Sequence, residues 1–224
     1  MFSDLQNFPH DSGPIYQETL AGRFPVEPFN TFSNLLFLVV ILYFGRKIYP
    51  NYRQHLFLAF CLPILTLGFV GGTIYHATRS AEIWLLLDWV PIVLLCFATA
   101  VYFCFSLPIK ILFKWIFIVG LLLFQIIVRL IELPKSLSIS LGYIASAIAI
   151  LLPLTLHIWY FKANYAYNIL WAVLSFSAAI GFRILDKNLH IFSMGTHWLW
   201  HLFGATAVFF LMNYIFLHKK NQAN

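Results

Sequence analysis

Charge is scarce in this chain. Asp, Glu, Lys and Arg make up 10% of its 224 residues, where an ordinary soluble domain carries about a quarter. With 61% hydrophobic residues and a mean hydropathy of +0.82, that deficit argues against a soluble fold. Basic patches with interleaved aromatics are missing as well, so the formal charge of +6 is no nucleic-acid footprint. Cysteine is rare: Cys61, Cys96 and Cys104 lie in apolar runs without a Cys-x-x-Cys pattern. Buried free thiols are expected there, not disulfides or a thiolate metal site. Residues 1–29 lack the basic start and apolar run of a cleavable signal; they hold Asp4, Asp11, Glu18, Glu27 and four prolines instead. The first spanning helix is therefore expected to act as its own targeting signal.

What the chain does have is long apolar runs. Seven are long enough to span a bilayer, at about 30–48, 56–76, 82–105, 109–131, 136–160, 164–185 and 193–217. The expected fold is an all-α, seven-helix transmembrane bundle. No linker, low-complexity tract or internal repeat divides it. Residues 1–29 read as an extra-membrane segment, 30–217 as the membrane domain and 218–224 as a short tail. Eight basic residues (Arg46, Lys47, Arg53, Lys110, Lys114, Lys162, Lys219 and Lys220) fall on one side, against six (Arg23, Arg79, Arg129, Lys135, Arg183 and Lys187) on the other. The positive-inside bias then predicts an outside N-terminus and a cytoplasmic C-terminus. All eight acids fall toward the outside, at Asp4, Asp11, Glu18, Glu27, Glu82, Asp88, Glu132 and Asp186. That end is suited to holding cations.

The polar residues inside the apolar runs are the ones that need a reason. His197 and His201 are four apart, so on a helix they share a face. His76 closes the second run, Asp88 lies early in the third, and alternating helix directions bring all four to one depth. A lone intramembrane histidine is commonly a helix–helix hydrogen bond, the reading a solitary His76 would receive. Three histidines with a carboxylate instead match a catalytic zinc site with an open fourth position. No soft ligand accompanies them, which favours zinc over iron or copper. His157 and His218 are expected at the interface, and His10, His55 and His190 in loops.

Several stretches resemble one family in the same order. Glu27-Pro28-Phe29-Asn30-Thr31-Phe32-Ser33-Asn34, Tyr75-His76-Ala77-Thr78, Leu87-Asp88-Trp89-Val90-Pro91 and Gly195 to His201 resemble motifs of the alkaline ceramidases. Those belong to a seven-helix hydrolase superfamily that also includes the adiponectin-type receptors. Phe182-Arg183-Ile184-Leu185-Asp186 resembles its bacterial members, which implies a bacterial inner-membrane location. The resemblance implies hydrolysis of an N-acyl lipid, ceramide-like, to a fatty acid and a sphingoid-type amine. Carried over by position, His76, His197 and His201 would bind Zn2+, with Asp88 as general base. Ser33 and Asn34 would support the site from behind. Arg183 and Asp186 have two readings, a pair along one helix face or a role behind the metal. Some animal members bind calcium through an acidic N-terminal segment, which makes Glu18, Glu27 and Asn30 candidate Ca2+ ligands. Otherwise Asn30 caps the first helix and the glutamates are solvated.

The chain departs from the family where a serine usually stands four residues before the histidine of helix two. Here that position is Gly72, with Thr73 beside it as the candidate substitute; Gly71 and Gly72 also suit close helix packing. The spacing from His76 to Asp88 is one residue longer than in the family. Two other classes remain open. One is a receptor or binding protein that keeps zinc without turnover. The other is a transporter with a His-Asp cation path, which would show discontinuous helices in matching halves.

Overall fold

The computed structural model describes residues 8–223 apart from 163, 189 and 190, so Asp4 and His190 lie outside it. It is all-helical among the described residues, with seven helices long and apolar enough to cross a membrane. The first span, Pro28–Gln54, is broken. It comprises α1 (Pro28–Ser33), α2 (Leu35–Ile48) and a tight turn of helix over Tyr49–Gln54, with Asn34 at the α1–α2 break. The others are α3 (Leu56–Thr78), α4 (Glu82–Ser106), α5 (Ile111–Arg129), α6 (Lys135–Phe161), α7 (Tyr167–Leu185) and α8 (His197–Ala223).

Two expected boundaries move. α8 starts at His197, not near 193, because Gly195 takes a positive φ of 74° and turns the chain ahead of the helix. It also runs on through Lys219 and Lys220 to Ala223, so residues 218–223 continue the helix instead of forming a separate tail.

The outside of the bundle is apolar. α5, packed among the described residues on α4 and α6, exposes Leu112, Ile116, Leu123 and Ile127, a surface that water would penalise and lipid would not. The inside separates into two ends. One end is a packed core that includes Phe44, Ile48, Leu58, Leu62, Phe103 and Tyr214. His157 is buried at that end, 3.2 Å from His218 through their Nε2 atoms and hydrogen-bonded to Ser106. The other end gathers buried polar groups: Glu27, Asn30, His76, Arg79, His197 and His201. Cys61, Cys96 and Cys104 are free, as composition suggested.

α3 and α4 approach each other closely near the polar end. A Cβ added at Gly71 would come within 2.6 Å of the Leu87 main-chain carbon. A Cβ added at Gly68 would press on Pro91 at 3.3 Å. Small residues let two helix backbones meet this closely in a membrane. Gly71→Ala is therefore expected to push α3 from α4 and cost about 1–3 kcal/mol. It should appear as a lower midpoint in thermal unfolding of the detergent-solubilised protein.

Candidate metal centre

His76 sits in the last turn of α3, while His197 and His201 stand one turn apart at the start of α8. Their exposures are 0%, 2% and 3%. One nitrogen from each lies within 4.8 Å of the others, close enough to share one ion. The ring centroids are 4.8 to 5.4 Å apart.

Each imidazole is held from behind. His76 Nδ1 meets Glu27 Oε2 at 2.5 Å. His201 Nδ1 meets Ser33 Oγ at 2.8 Å and the Asn30 carbonyl oxygen at 3.0 Å. A carbonyl only accepts, so His201 Nδ1 carries the proton and its Nε2 keeps a lone pair for a ligand. The Glu27 carboxylate fixes the same tautomer at His76, an arrangement typical of metal-bound histidine. His197 is gripped differently: Tyr16 stacks on its ring at 3.7 Å, with 20° between planes. His76 Nε2 and His197 Nδ1 are buried with no hydrogen-bond partner. Buried polar atoms normally have one, so two orphan nitrogens in a cluster of three imidazoles fit a cation such as zinc.

Asp88, in the second turn of α4, lines an internal cavity together with Asn34 and His201. Gly72 lies directly beneath it. A Cβ at that position would collide with Asp88 Oδ1 and Asn34 Nδ2. The close-packing reading of Gly71 and Gly72 is therefore met at both positions. The Thr73 hydroxyl, the candidate substitute, donates to the Phe69 carbonyl at 2.7 Å. A threonine in mid-helix commonly bonds this way, which leaves its oxygen as an acceptor only.

Arg183 and Asp186 do not pair. Asp186 Oδ1 accepts the main-chain N–H groups of Thr196 and His197, both at 2.8 Å, and Oδ2 accepts that of Gln17 at 2.9 Å. Asp186 thus holds the start of α8, where bare N–H groups favour a carboxylate, and fixes the backbone of His197. Arg183 lies 5.6 Å from the Tyr143 ring centroid and 5.7 Å from that of Trp200, with Ser140 Oγ at 3.4 Å.

The expected calcium ligands have other partners. Glu18 accepts the Phe29 and Asn30 N–H groups at 2.5 and 3.0 Å, which caps α1. Glu18, not Asn30, is the cap. The glutamates are not solvated, with Glu18 5% and Glu27 0% exposed. Glu27 Oε1 takes Thr19 Oγ1 and Arg79 Nη1, and Oε2 takes His76 and Asn30 Nδ2. Arg79 also forks onto Asp11 and reaches the Pro14 carbonyl. The positive charge among these acids is thus a guanidinium, and the carboxylate oxygens a calcium ion would need are already engaged. Burial of Glu27 favours its neutral form. Its hydrogen bonds to His76 and Thr19 and the charge of Arg79 outweigh this and hold its carboxyl below the usual range.

Sequence reasoning missed Tyr16, Arg79 and Asp11. Arg79 had a signal, since it follows the His76 motif by one turn. Tyr16 had none. No protein-family model and no curated protein matches this chain.

Two measurements check the centre. His197→Ala and His201→Ala should each lower the zinc content of purified protein; unchanged zinc in both would end the assignment. Glu27→Gln keeps the shape but loses the charge that orients His76. It should weaken zinc about 10–100-fold in competition with a chelator.

Proposed function

We propose that this chain is a zinc-dependent intramembrane amide hydrolase acting on an N-acyl lipid, ceramide-like. One observation carries the reading. Asp88 and His201 line one end of an apolar cavity of about 490 Å³, and His201 clusters with His76 and His197. That volume lies in the range of small-molecule sites. Leu58, Leu65, Ile150, Leu154 and Ile215 line its other reaches, which suits an acyl chain. A lipid with its reactive amide near one end of the bundle would lay its tail along this wall. The same fit motivates a membrane lipid as partner.

Bound at the three histidines, zinc would supply Lewis acidity toward the amide carbonyl and the attacking water. The chain's own residues do the rest. Glu27, Ser33 and the Asn30 carbonyl hold His76 and His201 with their Nε2 atoms forward. Asp88 takes a proton from the attacking water and passes it to the leaving amine nitrogen. The new C–O bond forms as the water adds, and the C–N bond breaks once the nitrogen has taken the proton, giving a carboxylic acid and an amine. The apolar walls keep bulk water from the reacting amide.

The Lys and Arg bias supports placing this end outside the cytoplasm, and the resemblance of Phe182–Asp186 to bacterial members supports the inner membrane of a bacterium. A fluorescent reporter fused to the C-terminus should then fold and fluoresce in a bacterial host.

The decisive assay incubates purified protein with a panel of N-acyl lipids, with and without chelator, and measures released fatty acid. Release that the chelator abolishes is expected. Absence of release from every amide lipid, with zinc bound, overturns the hydrolase reading in favour of a zinc-containing receptor or binding protein. Asp88→Asn should keep its zinc and lower kcat about 10²–10⁴-fold.

A further inference from the structure

The mechanism above leaves unused a buried polar group that lines the cavity. Asn34 occupies the break between α1 and α2 and is 3% exposed. Its side-chain nitrogen, Nδ2, is buried and has no hydrogen-bond partner in the protein. An amide N–H left unpaired in an apolar interior costs roughly 1–3 kcal/mol, so such a group calls for a partner that the folded chain does not provide. Asn34 also lines the cavity with Asp88 and His201. Across Gly72, its Nδ2 and Asp88 Oδ1 flank the point a side chain at 72 would fill. The missing side chain at 72 is what lets both groups sit together.

The neighbouring polar groups around it are committed elsewhere. Ser33 and the Asn30 carbonyl hold His201, Thr99 donates to the Leu95 carbonyl, and Thr73 donates to Phe69. Asp88 is an acceptor when ionised. Of these side chains, Asn34 is the one with an N–H unspent beside the carboxylate. A lipid amide entering the polar end of the cavity brings the complementary group, a carbonyl oxygen that gains negative charge as water adds to its carbon.

We propose that Asn34 is a catalytic residue that contacts substrate, its Nδ2–H donating to the carbonyl oxygen of the N-acyl lipid while Asp88 handles the proton. The assignment rests on the amide-lipid reading of the site. A preplaced donor at that oxygen contributes most as charge develops, and removal of such a donor typically costs about 10²–10³ in kcat. It also favours ligands that carry the carbonyl, because only they satisfy the buried N–H.

The test compares wild type with Asn34→Leu, which is nearly isosteric, and Asn34→Ala, each purified with zinc. Three quantities are read: zinc content, turnover of an N-acyl sphingosine, and binding of that amide against an ether analogue in which –CH2–O– replaces the amide. Wild type is expected to bind the amide about tenfold more tightly than the ether. Both variants should lose that preference, keep their zinc, and lose turnover with KM changed less than kcat. Wild type that prefers the amide but releases no fatty acid overturns hydrolysis and leaves Asn34 as a carbonyl-binding residue. Wild-type turnover that both variants retain overturns the role of Asn34 and leaves hydrolysis standing. No preference for the amide in wild type overturns the assignment. Loss of zinc from both variants also overturns it, by making Asn34 a support of the metal centre.

Discussion

A carboxylate shut away from water must be met by donors on every side, and Glu27 is met by four: Thr19, Asn30, His76 and Arg79. Burying it alone would cost several kcal/mol. Burying it in this company turns the cost into geometry. One oxygen fixes the tautomer and tilt of His76. The other ties the start of the first span to Arg79, whose guanidinium in turn forks onto Asp11. The polar end of the bundle is thereby built around charge, although the rest of the molecule is built around its avoidance.

The same economy recurs at the other two histidines. Asp186 caps α8 through the N–H groups of Thr196 and His197, and it also takes the N–H of Gln17. Glu18 caps α1 through Phe29 and Asn30, and the Asn30 carbonyl receives His201. Three carboxylates thus position three imidazoles, each by a different route. One bonds the ring directly, one fixes the main chain beneath it, and one fixes the helix that presents its acceptor.

Periodicity made part of this legible. Runs of apolar residues of spanning length could only be helices, and a His-x-x-x-His spacing on one of them could only put both rings on one face. Alternating direction then brought His76 and Asp88 to the same depth. Ser33 and Asp186 were legible as supports, on His201 and on the His197 main chain; those from residues 8–26 were not, because that stretch has no repeat to read. Nothing in the spacing of Tyr16 says that it stacks on His197. Asp186 lies three residues from Arg183, so local spacing suggested a pair, but three main-chain N–H donors hold the carboxylate elsewhere. Thr73 spends its proton for a similar local reason, since a hydroxyl inside a helix has a carbonyl one turn back within reach. Gly72 carried the most information, through what its lack of a side chain admits: Asp88 and Asn34 side by side.

The segment from Asp11 to Thr19 is stitched to the same groups that aim the histidines. Thr19 shares Glu27 with His76, Gln17 shares Asp186 with His197, and Glu18 lies within the segment itself. Tyr16 closes the stitch by lying flat on His197. Ordering of that segment and ordering of the rings are therefore one equilibrium, not two. By linkage, any affinity for an ion at the three rings contains the free energy of fastening the segment, and an ion that binds there tightens the segment by the same amount. The dissociation constant of any ion bound at the three rings would then be partly a measure of how firmly the N-terminal strap is tied down.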